Sequence, residues 1–500
     1  MNDDIIIINS DELSPPDIGN GLWENRENNY FQYDLPGVPI CSICIQGYNR
    51  LNKTKYAVEC VLKYTQDIDY ELILVDNGSD DGTFEYFKSV EYDRKTIIRV
   101  TKNISSGFTF SKIRSVFQGK YLVTIPNDVY VTKGWLSNIL KCYESDPQIG
   151  LACPVSSNVS NYQQVDFDFK NFDQMQEQAA KFNHSDSAKW SERMRMISLV
   201  IVWSRAVMDI VGLADPAYIH DFGDDDFDVR LRRAGYKLIL LEDTWVCHDH
   251  DIVARNTESF RNDIENGRAT YREKYHGIDP WDDINNYEFC MLNSLDNAVL
   301  PSGTISSLCV DVRCGAPVLE IRNRLRRRGF TDVKSSAFTT KAKYYLDLQT
   351  TGANVECDRI DFIQSKYANN SFDIVVLGQP INTYSEPIML LQTLYNFLKP
   401  GGLLLFKLCN TDNYKAFLRS IGLHQQSSPD MMMNISTEDV TELLKLFGGK
   451  NVSIAEELYR KMDDDKVRLM DVLNRIDQSK ADERALKLCV ENYVFKVIKG

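Results

Sequence analysis

No apolar run in the chain approaches the 18 or more residues that a membrane helix needs; the best stretches, Ile5–Ile8, Leu199–Val202 and Leu403–Phe406, are strand-sized. Nor is there an excess of basic charge. Lys and Arg number 57 against 71 Asp and Glu, a net charge of −14, which disfavours a general electrostatic grip on nucleic acid or anionic lipid. A polyanionic ligand then needs a local device, such as a metal ion. Histidine is scarce, at six residues. The acidic start, Met1-Asn2-Asp3-Asp4, lacks the basic and apolar parts of a signal peptide. The 12 cysteines are scattered, most inside apolar runs, which reads as a reducing cytoplasm without a disulfide framework. Cys41 and Cys44 form a Cys-X-X-Cys pair, but three apart in an extended run they face opposite sides, which favours buried thiols over zinc ligands.

What is present is ordinary globular composition, 43% hydrophobic and 26% charged, over 500 residues, more than the roughly 100–200 of one domain. Residues 1–37 read as an N-terminal extension. From Val38 to about Leu140 apolar strands alternate with amphipathic helices, including one expected at Ser111–Gln118, which means a mostly parallel sheet. Residues 165–195 read as polar and helical, Ile197–Val202 and Lys237–Leu241 as buried strands, and residues 252–276 as a charged helix. The pattern restarts after Asp279-Pro280-Trp281, so the domain boundary is placed near 280. Ile305–Val312, Phe372–Leu377 and Leu403–Leu408 are strands of a second α/β domain, 281–500, with Lys399–Gly402 as a turn and a charged helix before a last strand, Asn492–Ile498.

Four clusters carry chemistry. Gln46–Arg50 and Asp76–Thr83 follow adjacent strands, where open α/β sheets bind ligands; Tyr48 suits stacking and Asp76 a base N–H, although Asn-Gly-Ser-Asp-Asp-Gly also makes an ordinary turn and cap. Pro126-Asn127-Asp128 ends another strand, where a carboxylate can hold a hard cation or cap a helix. Gly223–Asp228 opens a helix with four carboxylates in five positions. The helix dipole accounts for one or two; crowding the rest raises at least one pKa, which suits a general base or a metal neighbour. His248 ends a strand after this helix, with His250 two residues on, open to a structural or a metal-ligand role.

In order and spacing these clusters resemble the family 2 inverting glycosyltransferases of the GT-A fold. The resemblance covers residues 38–280 and rests on Ser42–Arg50, Leu72–Thr83, Pro126–Leu136, Gly150–Asn158, Phe222–Lys237 and Val246–His248. It implies that Gly47, Tyr48, Asn49, Arg50, Asp76, Gly107 and Asn127 form the nucleotide side, that Asp128 and His248 hold Mn²⁺ or Mg²⁺, and that Asp224 or Asp225 is the catalytic base. Pro126 replaces the first carboxylate of the family's Asp-X-Asp-like motif, and Gly47 departs from the usual residue before Tyr48. No Gln-X-X-Arg-Trp motif follows, so the processive synthases match poorly.

Leu308–Pro317, Ser371–Leu377 and Leu398–Gly402 resemble a class I methyltransferase core over residues 285–420. Arg313 and Pro317 stand where that family has glycines, needed for close backbone approach to S-adenosylmethionine, and Val333–Ser336 offers no ribose-binding acid. The expectation is therefore a degenerate second Rossmann-like domain, with acceptor docking, a homodimer contact or scaffolding as its roles. Its arginines at 322, 324, 326, 327 and 328 read as a solvated helix face or a docking surface. The expected activity is transfer of a hexosyl or N-acetylhexosaminyl group from a UDP-sugar to a hydroxyl of a glycan or protein, such as flagellin Ser or Thr. Two rivals stand beside it: an S-adenosylmethionine-dependent methyltransferase with a glycan-binding N-terminal domain, and a non-catalytic scaffold.

Overall fold

The structure is a computed structural model that describes residues 4–12, 39–104, 113, 116–212, 215, 217, 218, 221–250, 258–415, 418, 433–459, 464–476 and 487–500. Met1–Asn285 and Asn286–Gly500 are separate compact units. No described helix is long and apolar enough to cross a membrane.

The first unit holds strands β1 (Asp4–Ile8), β2 (Cys41–Gly47), β3 (Tyr70–Asp76), β4 (Lys95–Val100), β5 (Tyr121–Pro126), β6 (Val129–Tyr130), β7 (Ile149–Ser156), β8 (Trp190–Arg193), β9 (Ile201–Ser204) and β10 (Lys237–His248). They form one sheet in the order β1-β4-β3-β2-β5-β9-β7-β10-β6, with β8 also paired to β10. Strands β1 to β5 run parallel to one another. β9 is antiparallel to both β5 and β7, and β10 is parallel to β7. It follows that β2, β3, β5, β7 and β10 share one direction, and Gly47, Asp76, Pro126, Ser156 and His248 all lie at the same edge. Every residue of β3 and β7 is buried, as a sheet covered on both faces requires. Cys41 and Cys44 are buried in β2, and burial pushes the Cys44 thiol up to about 12, the chemistry of core thiols and not of zinc ligands.

Two local readings differ from the sequence expectation, and a third falls largely outside the described residues. Within the N-terminal extension, Asp4–Ile8 is an edge strand in register with β4, Ile6 beside Ile98. Only Phe172–Phe182 of the polar 165–195 stretch is an α-helix; Trp190–Arg193 alternates in burial and lies antiparallel to β10, held by the Trp190 indole donating to Asp243 at 2.8 Å. The helix expected at Ser111–Gln118 falls largely outside the described residues, as does Gly107.

The second unit contains β11 (Ile305–Val310), β12 (Val333–Thr339), β13 (Asn354–Cys357), β14 (Phe372–Leu377), β15 (Leu398–Cys409), β16 (Gly449–Leu458) and β17 (Val490–Lys499). Their order is β13-β12-β11-β14-β15-β17-β16, parallel except at β17, which is antiparallel to β15 and β16. The strand order reverses between β11 and β14, which makes their carboxyl ends a topological switch point. Lys399–Gly402 is a kink inside β15 and not a free turn: the pairing with β14 shifts register there, and Gly401 takes φ 80°. β16 escaped sequence reading because it is an edge strand whose side chains are mostly exposed on both faces.

Candidate active site

The two-residue strand β6 pairs antiparallel with the end of β10, Val129 opposite His248 and Tyr130 opposite Cys247. The pairing continues as the Asp249 amide donates to the Asp128 carbonyl at 2.8 Å. That register, invisible in the sequence, brings Asp128 to His248. It also brings His250, because residues two apart in an extended chain project the same way, while Asp249 between them is occupied by the Tyr130 hydroxyl at 2.7 Å and Lys53 at 3.3 Å. One ligand atom each from Asp128, His248 and His250 lies within 4.8 Å of the other two. His250 was noted beside His248 in the sequence but given no role; its spacing of two was the available signal.

The cluster is oriented by its surroundings. His248 Nδ1 lies 3.0 Å from the Asn158 carbonyl, which can only accept, so in the neutral ring Nδ1 carries the proton and Nε2 keeps its lone pair. Nε2 is 3.7 Å from Asp128 Oδ1. The other oxygen, Oδ2, is held by Arg50 Nη1 at 2.8 Å, which leaves Oδ1 facing the imidazoles.

The nucleotide-side residues sit around this point with unequal freedom. Tyr48 is 44% exposed, available for stacking. Asn49 and Arg50 take left-handed backbone angles, φ 54° and 62°. Asn49 receives the Asp80 amide on Oδ1 and donates its own amide to Ser79, which ties the two loops together. Asp76 is fully buried, with Oδ1 accepting from Ser79 N and Oδ2 paired to Arg99 at 2.7 Å. Asn127 is buried and its Nδ2 donates to the Asn49 carbonyl and to Thr54, both at 2.9 Å. A Cβ on Gly47 would lie 2.9 Å from that nitrogen, so glycine is what lets Asn127 clamp β5 to the Tyr48 loop.

In the helix Gly223–Arg233 the four carboxylates separate into four environments. Asp225 is buried against Arg195, which grips it with both Nε and Nη2. Asp226 receives Tyr275 OH at 2.7 Å and Arg230 Nε at 2.9 Å, with Lys274 at 2.5 Å. Asp228 accepts the Met196 amide at 2.6 Å, and burial raises its pKa well above the carboxylate range. Asp224 accepts the Ser198 amide at 3.1 Å, and burial, opposed by that N–H, pushes it up to about 6. Asp225 repels it further. The i,i+4 spacing of Asp224 and Asp228 matches the i,i+2 amides of the extended segment carrying Met196 and Ser198, which stitches helix to chain.

Two cavities meet at Asp224. One, of about 310 Å³, is lined by Gln46, Pro126, Ser198, Trp203 and Phe227 among others. The second, about 430 Å³, is lined by His248, Asn158, Arg195, Phe222, Trp281 and Asn285. Asp224 and Leu199 belong to both walls. Sequence reading missed Arg195 and Asn285; Phe222 entered it only as the first residue of the Phe222–Lys237 stretch, and Trp281 only as a boundary mark.

At the switch point of the second unit, Asp311 Oδ1 accepts from Thr340 N and Oγ1 at 2.7 and 3.0 Å, and Oδ2 from Tyr384 OH at 2.7 Å. Arg313 takes φ 54°, a left-handed angle that favours glycine. Of the arginine run, Arg324 is engaged with Glu320 and Asp296, and Arg328 with the Leu295 and Ala298 carbonyls. These two are structural.

Residues 42–193 match the family model "Glycosyl transferase family 2", and residues 316–406 match "Methyltransferase domain". A curated relative, an uncharacterized protein y4gI of Sinorhizobium fredii (strain NBRC 101917 / NGR234), is 31% identical over 115 residues, 22% of this chain. The match spans 12% of that relative's length. Similar solved structures include the mannosyltransferase PcManGT of Pyrobaculum calidifontis in complex with GDP-Man and Mn²⁺ (15% identity, 54% of this chain and 76% of that one, TM-score 0.37). GalNAc-T7 with UDP, GalNAc and Mn²⁺ gives 13% identity, 58% and 54% coverage and a TM-score of 0.38. An S-adenosylmethionine-dependent methyltransferase of Archaeoglobus fulgidus gives 15%, 46% and 99%, and 0.32. This chain carries a family 2 glycosyltransferase domain followed by a methyltransferase-type domain.

Proposed function

We propose that the first unit is a metal-dependent inverting glycosyltransferase that moves a hexosyl or N-acetylhexosaminyl group from a UDP-sugar to a hydroxyl of a glycan or protein. The observation that carries this reading is the β6–β10 register, which gathers Asp128, His248 and His250 beside a cavity that also reaches Asp224. One carboxylate and two imidazoles, one of them with its lone-pair nitrogen facing the carboxylate, fit a divalent transition ion; the nitrogen donors favour Mn²⁺ over Mg²⁺, which prefers oxygen. Such an ion, when bound, supplies Lewis-acid stabilisation to the leaving diphosphate. Tyr48 stacks on the base, and the linked Asn49 and Asp80 loops line the nucleotide.

The base is Asp224. Asp225 is committed to Arg195, whereas Asp224 faces both cavities and holds a proton affinity suited to work near neutral pH. It takes the proton from the acceptor hydroxyl as the oxygen attacks the anomeric carbon, and a single displacement inverts that centre. Calorimetric titration of UDP with and without Mn²⁺ tests the metal assignment. Asp128→Ala and His248→Ala should each weaken UDP binding in Mn²⁺ and leave metal-free binding nearly unchanged; equal binding by wild type and both variants would remove it.

The second unit we read as non-catalytic. Its Asp311 is engaged on both oxygens, a non-glycine occupies the left-handed position 313, and no acid stands at the end of β12. These residues do not fit S-adenosylmethionine, which leaves acceptor docking, a homodimer contact or scaffolding as the roles of the unit.

A further inference from the structure

The larger cavity has a wall that the proposed chemistry does not use. Trp281, 39% exposed, stands on the short turn Pro280–Ile284, with the Phe222 ring 5.4 Å away and the Arg268 guanidinium 4.7 Å from its ring centroid. The ring is held by a polar frame: Asp279 accepts the Trp281 amide at 2.9 Å and two bonds from Arg268 at 2.8 Å. Ile264 continues the apolar side. The same cavity is also lined by Asp224, Asn158 and Asn285. The Asn285 carbonyl oxygen is buried and has no hydrogen-bond partner among the described residues, an acceptor left over in a wall where such groups are ordinarily satisfied. The volume, about 430 Å³, is that of a small-molecule site.

We propose that this cavity is the acceptor subsite and that it takes a pyranose ring, so that the acceptor is a glycan and not a bare serine or threonine side chain. This rests on the glycosyltransferase reading above. A pyranose has an apolar C–H face and an edge of hydroxyls. The first matches the Trp281 and Phe222 rings, and the second matches the carboxylate and amide groups of the lining, with one hydroxyl donating to Asn285 Oδ1. A bare serine or threonine side chain has no apolar ring face to set against the indole. The fixed frame around Trp281 means that little ordering remains to be done on binding.

The test uses the full chain and a panel of methyl glycosides (glucoside, galactoside, mannoside and N-acetylglucosaminide), read by saturation-transfer NMR in the presence of UDP and Mn²⁺. Parallel calorimetry follows UDP alone. At least one glycoside should bind, and Trp281→Ala should weaken it by about tenfold or more, with UDP affinity and the thermal midpoint unchanged. Trp281→Phe should recover most of the loss, and Asn285→Ala should weaken the same glycoside by a smaller factor. Normal UDP binding with no glycoside bound, or with a glycoside indifferent to both positions, overturns the subsite and leaves the transferase reading standing. Glycoside binding sensitive to Trp281 with UDP silent supports the subsite and overturns the transferase reading. Silence of both ligands overturns both.

Discussion

At the carboxyl edge of the first sheet, Asp128 keeps one oxygen toward two histidines while Arg50 holds the other; at the same edge of the second, Asp311 has Tyr384 on one oxygen and Thr340 on the other. Both are acids at the end of a central parallel strand, and both strands belong to sheets of the open α/β kind. What separates them is the remainder after internal bonding. The first edge sets a carboxylate with one oxygen on Arg50, two imidazoles and a raised carboxyl around two cavities. The second satisfies its acid with neighbours from its own chain. Fold alone assigns neither a chemistry; the two edges differ in how their acids are bonded.

The contrast would break most visibly at Asp224. Asp224→Asn should lower turnover by about 10²–10⁴-fold while UDP affinity in Mn²⁺ stays within twofold of wild type, about the precision of such a comparison. Wild-type turnover should rise with pH through about 6, as the buried carboxyl loses its proton. The same group should make the fold slightly less stable as pH climbs from the ordinary carboxyl range to about 6, because over that window the folded state holds a proton that the unfolded chain has released. The variant should lose that slope in a urea titration series. Full turnover in Asp224→Asn would return the base to Asp225.

A second, smaller effect is expected at Arg195. Removing it leaves Asp225 buried and unpaired, and Arg195→Ala should cost about 3–5 kcal/mol in chemical denaturation. A loss of activity with unchanged stability would show instead that Arg195 serves the reaction directly. The smallest effect belongs to the second edge. Tyr384→Phe removes one hydrogen bond to Asp311 and should cost about 1 kcal/mol, with S-adenosylmethionine still unbound in calorimetry because Arg313 and Pro317 remain. Binding that appears on this one change would mean that Tyr384 alone separates the two edges.

The central strands were legible because β2, β3, β5 and β10 are near-continuous apolar runs, and the helix Gly223–Arg233 because its acidic start and Ala234-Gly235 end are local signals. The loops after β2, β3 and β5 could be placed at one edge from the alternation of strands and helices. What could not be read were the relations that depend on register and on partners distant in sequence. His250 joins the cluster through two residues of β6; Asp225 differs from Asp224 only through Arg195; Asn127 turns out to be a clamp because Thr54 and Asn49 face it. Each involves side chains whose identity is ordinary and whose neighbour is decisive. β16 was hidden for the opposite reason, since an exposed edge strand has no buried face to impose a period of two.

Gly267 sits inside the helix Glu258–Lys274, where a Cβ would lie 2.8 Å from Cδ2 of Phe222. Phe222 itself adopts φ 69° at the start of the acidic helix. A glycine within a helix normally sacrifices about 1 kcal/mol relative to alanine, and here the vacant space is occupied by the ring that walls the cavity. Alanine at 267 would therefore gain helix propensity only by pushing the Phe222 ring aside, and with it the backbone two residues before Asp224. Glycine at 267 is what leaves that ring its place.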